Sequence, residues 1–197
     1  MKPFAESSEQ NKAVILEVLE PLCQNAKQVL EIGSGTGQHA VFFAEHMPHL
    51  KWQTSELKEN HTGINMWLKE KNLANTLAPI AIDVRQAEWP ISNMDVIFSA
   101  NTLHIMSWEA VQAFIRHAAQ VLNDSGLLII YGPFNYQNQY TSESNAQFDI
   151  WLKSRDPQSA IRNFEDLNQL AEESGLKLYE DYPMPANNRI LCWRKST

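Results

Sequence analysis

Val29-Leu30-Glu31-Ile32-Gly33-Ser34-Gly35-Thr36-Gly37-Gln38-His39-Ala40 decides how this chain is read. An apolar run with an acid near its end breaks into three alternating glycines, then resumes as an apolar helical pattern. That is strand, tight loop, helix. Glycine serves where backbone turns at positive φ or lies directly against a ligand. The N–H groups that open the helix add a polar, slightly positive rim. After the first strand of a parallel sheet, such a turn is a nucleotide-type cofactor site. Gly35 to Ala40 also fits the G-x-G-x-x-G/A pattern of dinucleotide-binding folds. Glu31, two residues before Gly33, tips the balance. An acid there suits a ligand bearing an ammonium or sulfonium group, as S-adenosylmethionine does, and is awkward beside a pyrophosphate. The bland alternative is a glycine turn that binds nothing.

Outward from this stretch, composition sets bounds. The 197 residues fit one domain, 1–197, with a substantial core. The 44% hydrophobic and 20% charged residues are those of a soluble globular chain. A net charge of -7 leaves no surplus of Lys and Arg to neutralise phosphates, which disfavours nucleic acid and anionic membrane as partners. Cys23 and Cys192 form no ligand cluster, so no metal site is expected and both read as buried thiols. The N-terminus lacks a signal-peptide stretch and no run is apolar enough to span a membrane. These features predict a cytoplasmic protein.

Before the motif, Ser7-Ser8-Glu9-Gln10 predicts a capping box, followed by an apolar helical face through Val14, Ile15, Val18, Leu19 and Leu22. Residues 1–12 are either a flap over the glycine loop or a frayed terminus. After it, strands are expected at 52–56, 79–82, 95–100 and 127–131, alternating with helices at 58–72 and 107–122. The result is a parallel, doubly wound sheet. Glu56, 19 positions beyond Gly37, matches the acid that accepts from ribose hydroxyls, or is an ordinary solvated acid. Asp83, followed by Val84, either accepts from an adenine amino group or starts a turn. Asn101 and His104 follow strand 4, beside strand 1, and are placed to face a cofactor. His104 also fits a capping or core histidine.

From Gly132 to Ser144 the regularity stops. This polar, aromatic stretch leaves the carboxyl end of strand 5 and predicts a lid over the pocket, extended by a helix from Asn145 and spanning 132–156. A helix at 163–173 and two strands, 176–179 and 189–194, close the chain as a long hairpin.

Through these residues the chain resembles the class I S-adenosylmethionine-dependent methyltransferases. Within them it is similar to a small stand-alone family that includes methyltransferase-like protein 26. The likeness runs through Asn11-Lys12, Glu31 to Ala40, Trp52-Gln53-Thr54-Ser55-Glu56, Tyr131-Gly132-Pro133-Phe134, Ser144-Asn145, Phe148-Asp149 and Met184-Pro185-Ala186-Asn187-Asn188. The chain departs from it at Thr54-Ser55-Glu56, where relatives usually carry Pro-Ser-Asp, and at Gln10, where they usually carry Arg.

The resemblance implies a Rossmann-like seven-stranded sheet with the last strand antiparallel. It also implies methyl transfer from S-adenosylmethionine to a small-molecule acceptor. The residues implied around the cofactor are Glu31, Gly33, Ser34, Gly35, Gly37 and Gln38 at its methionine part, Glu56 on ribose, and Asp83 with Val84 at adenine. Asn101 and His104 would line the floor. Tyr131, Asn135, Asn145, Asp149 and Asn187 are candidates for the acceptor side, with His104 or Asp149 as base. Two other readings stay open at this point: a cofactor-binding module that regulates a partner without catalysis, and an NAD-dependent oxidoreductase.

Overall fold

The computed structural model describes residues 2–197. Strand β1 (Gln28–Ile32) lies between β2 (Lys51–Glu56) and β4 (Met94–Ala100) and runs parallel to both. With β3 (Thr76–Ala81), β5 (Leu122–Gly132), β8 (Leu176–Met184) and β9 (Asn188–Lys195), the sheet order is β3-β2-β1-β4-β5-β9-β8. Only β9, the last strand, runs against its neighbours. The seven-stranded, mostly parallel α/β sheet expected from the sequence is the one observed. The order reverses direction at β1 and β4, so a crevice opens beyond their carboxyl ends.

Apolar residues on alternate positions of the central strands feed two separate cores. Leu30, Ile32, Ile97, Leu128 and Ile130 pack under Val111, Phe114 and Ile115 of α4 (Trp108–Val121), with Leu167 of α6 (Phe164–Glu173) in the same layer. Val29, Trp52, Val96, Phe98 and Ile129 pack on the other side against α1 (Glu6–Leu22) and α2 (Gln38–His46). Burial on both faces explains why β1 and β4 read as nearly unbroken apolar runs. Remaining helices are α3 (His61–Lys71) and α5 (Glu143–Arg155). No helix among the described residues is long and apolar enough to cross a membrane.

Several expectations are corrected. Helix α1 starts at Glu6 with Ala5 as its cap and no side-chain cap bond, so the capping box does not form; Gln10 Nε2 donates to Glu6 Oε1 at 3.1 Å instead. The expected helix 58–72 divides into a 3-10 turn, Lys58–Asn60, and α3. Strand β5, expected from 127, begins at Leu122 with an irregular stretch in which Ser125 takes φ 63. The stretch 132–144 is not free of structure: β6 (Phe134–Asn135) pairs in parallel with β7 (Arg162–Asn163). Partners some 28 residues away decide that ladder, which no local pattern announces.

Candidate cofactor cleft

The glycine loop is shaped by what surrounds it. Gly33 takes φ +71, and a Cβ there would lie 2.5 Å from the Thr102 methyl, so side chains are excluded twice over. Thr102 is itself held by a 2.5 Å hydrogen bond between its hydroxyl and that of Ser99. Gly35 differs: a Cβ would meet nothing within 4 Å, because this glycine faces open space. That space is a cleft of about 650 Å³ beyond the ends of β1, β2 and β4.

Gly33, Ser34, Gly35, Glu56 and Asn101 come together on its wall. Glu56 sits at the rim, accepting from Gly35 N–H at 3.3 Å and Leu57 N–H at 2.8 Å. Asn101 holds φ 58 while its N–H donates to the Tyr131 carbonyl at 2.9 Å. A polar residue in this left-handed conformation at the switch point is the local strain that functional sites tolerate.

Glu31 lies just beneath the loop, 2% exposed. Its Oε2 accepts from Ser34 Oγ at 2.9 Å and from Trp52 Nε1 at 3.1 Å. Burial pushes the carboxyl up to about 7, against the pull of those two donors, and the Glu56 charge adds to the rise. Its charge is therefore poised to change when a cation arrives above it.

Other residues expected here are placed elsewhere. Gln38 does not line the cleft; its Oε1 accepts from Ala5 N–H at 2.6 Å and Thr36 Oγ1 at 3.0 Å, pinning the N-terminal segment to the start of α2. Gly37 caps α2 behind the wall. Asp83 and Val84 lie outside the cleft, and Asp83 is held in a bidentate pair by Arg85, at 3.0 and 2.7 Å. His104 sits behind the wall, 8% exposed, edge-on to Phe148. Burial and the nearby Arg162 charge push its imidazole down to about 4, so it is neutral at pH 7.

The acceptor-side candidates do not converge. Tyr131 is buried in the core layer beneath α1. Asn135 faces a small cavity with Tyr140 and Arg162, while Asn187 faces another with Tyr136, Thr141 and Arg189. Asn145 Nδ2 donates to the Asn187 carbonyl at 3.2 Å, tying α5 to the β8–β9 turn. Asp149, expected as a possible base, is corrected to a strut. It is 1% exposed and accepts from Tyr140 Oη at 2.7 Å, Lys153 Nζ at 2.5 Å and Ile161 N–H at 2.7 Å. Those donors hold it below the usual carboxylate range despite burial, leaving it a poor proton acceptor at neutral pH.

Of residues 1–12, read as either a flap or a frayed terminus, three border the cleft. Pro3, Ala5 and Ser8 line one side, and Trp67 Nε1 fastens that segment through the Pro3 carbonyl at 2.7 Å. His39 also lines the cleft, its Nε2 2.7 Å from Asn11 Oδ1 and its pKa pushed down to about 4 by burial. Its position in the first turn after the third glycine was the available signal. Among the described residues no group of three side chains is arranged to hold a metal ion.

A family model described as "Protein of unknown function (DUF938)" matches residues 2–195, and the chain belongs to that family. Solved structures similar to it are methyltransferases. An O-methyltransferase family protein from Burkholderia thailandensis aligns with TM-score 0.86 at 16% identity, over 96% of this chain and 56% of its own. Human N-acetylserotonin methyltransferase, solved in complex with SAM, aligns with TM-score 0.83 at 12% identity, over 98% and 53%. The mitomycin 7-O-methyltransferase MmcR aligns with TM-score 0.77 at 19% identity, over 93% and 55%. The chain thus spans about half the length of these structures. At such identities the likeness establishes the fold.

Proposed function

We propose that this member of the DUF938 family is an S-adenosylmethionine-dependent methyltransferase acting on a small-molecule acceptor. The observation that carries the reading is the cleft itself. Gly35 leaves space unfilled beside the glycine loop, and Glu56 and Asn101 border the same space from neighbouring strand ends. A cavity of this size suits a nucleoside-sized ligand. The chemistry of the wall fits the cofactor: a carboxylate at the rim for a vicinal diol, and a second beneath the loop for a cationic amino-acid end. The similar O-methyltransferases support the same choice and make hydroxylated acceptors the first to try.

When bound, the cofactor supplies a methyl carbon on a sulfonium leaving group. The chain contributes position first, since holding donor and acceptor in near-attack geometry supplies much of the rate in such displacements. Glu56 fixes the ribose, and Gly33 and Gly35 let the ligand lie against backbone. His104, uncharged at pH 7 but buried behind the cleft wall, is the candidate to take the acceptor's proton as a weak base, where the acceptor needs one removed and reaches the ring. Asp83 and Val84, just past the end of β3, are the candidates for the adenine end.

Calorimetric titration with S-adenosylmethionine, S-adenosylhomocysteine and NAD, beside Glu56→Ala, tests the proposal. Binding of the first two, weakened in the variant, is expected. NAD binding alone overturns the reading in favour of an oxidoreductase. Cofactor binding with no transfer to any hydroxylated acceptor moves the weight to a regulatory binding module.

A further inference from the structure

The loop after β4 is gripped in an unusual way. Four successive carbonyls, Leu103 to Met106, all accept from one short segment, 159–162. Arg162 Nε donates to Leu103 at 3.2 Å, Ala160 N–H to His104 at 3.0 Å and Ser159 Oγ to Ile105 at 3.2 Å. A terminal guanidinium nitrogen of Arg162 donates to Met106 and, at 2.8 Å, to Gln158. Strut residue Asp149 anchors this segment through Ile161 N–H. The other face of the same loop presents Asn101, Thr102 and Ile105 to the cleft.

His104 rides in the middle of that loop. Of the six histidines, His39, His46, His49, His61 and His117 each have a ring hydrogen bond to the protein; His104 has none among the described residues. Its Nδ1 faces Gly132, where a Cβ would stand 3.8 Å away. Charged groups around it are few. Helix α5 packs Phe148 edge-on to it and carries the Asp149–Lys153 pair, and β5 brings the Gly132 backbone. Arg162 forms no ion pair within 4 Å among the described residues, and Asp149 is the opposing charge that acts on it from farther off.

We infer that Arg162 is the positioning residue of the His104 loop, gripping it at both ends and setting a fixed positive charge against the imidazole. The planar guanidinium fork reaches two carbonyls three residues apart, which a lysine ammonium cannot do in the same geometry. The inference rests on the reading of His104 as the proton acceptor. An imidazole kept free of protein partners and uncharged at pH 7 has its lone pair available to a substrate proton.

The test is a histidine-ring NMR titration on the full chain, with the His104 signal assigned by His104→Gln. In the wild type His104 stays uncharged down to about pH 4. Arg162→Gln is expected to raise its midpoint by about one pH unit, a tenfold gain in proton affinity. Arg162→Lys keeps the charge, so His104 remains low-titrating, but amide exchange at Ile105 and Met106 accelerates because the fork is gone. A wild-type midpoint in Arg162→Gln, or wild-type exchange in Arg162→Lys, overturns the inference; if the Gln variant does not fold, the Lys variant alone decides. Titrating the same wild-type sample with S-adenosylhomocysteine tests the methyltransferase reading separately. No binding there sinks that reading and leaves the clamp standing.

Discussion

Two regions at the same end of the sheet use their polar residues in opposite ways. In the glycine-loop cleft, Gly35, Glu56 and Asn101 border open space, and the bonds Glu56 makes there are to the neighbouring Gly35 and Leu57 N–H groups. In the segment 132–163, Tyr140, Asn145, Asp149 and Arg162 are occupied by one another or by distant backbone. The first is built to receive a ligand, the second to hold a scaffold still. A polar residue near a pocket is therefore informative only once its partners are known.

The contrast can be broken at several points. The largest effect belongs to Gly33→Ala. The added methyl collides with Thr102 in a left-handed backbone, costing about 3 kcal/mol and abolishing S-adenosylhomocysteine binding. Thermal melting and calorimetry read both, and a variant that melts and binds like wild type dissolves the account of the loop. Asp149→Ala removes the acceptor of three donors, one a buried N–H, and should cost about 2 kcal/mol. An unchanged melting temperature would show that Asp149 is not a strut.

Glu56→Ala should leave melting unchanged and weaken cofactor affinity about tenfold, the worth of hydrogen bonds to a charged group. A variant with full affinity removes the rim carboxylate from the site. The smallest effect is on pH. Glu31 has a folded pKa of about 7, above its ordinary 4.5, so the free protein loses stability as pH rises between those values. A cationic ligand favours the carboxylate, so affinity for S-adenosylmethionine should rise about threefold from pH 6 to pH 8 and stay flat in Glu31→Gln. An opposite slope would place the ammonium end elsewhere.

Much of the fold was legible because its signals are local. The β1–loop–α2 unit, the buried character of β4 and the long final hairpin all follow from neighbours in sequence. Of the cleft, Gly33, Ser34, Gly35, Glu56 and Asn101 were legible for the same reason: each marks the end of a strand or the turn after it. His39 was not, and for residues 1–12 a flap and a frayed terminus stayed equally open, since only folding brings α1 against α2. The acceptor-side candidates line no common pocket: Asn145 and Asp149 are engaged by distant backbone, while Asn135 and Asn187 border separate cavities. Asparagine, tyrosine and aspartate after a strand look alike whether free or engaged.

By itself the sequence determined the strand–glycine loop–helix unit and the alternation that builds a doubly wound sheet, because glycine backbone freedom and apolar periodicity act within a few residues. Tertiary structure alone decided which polar groups remain open. Asp149 meets Ile161 across 12 residues, Asn145 meets Asn187 across 42, and Arg162 meets Leu103 across 59. A hydrogen bond of that span is set by how layers pack, and it determines whether a side chain is a support or a tool.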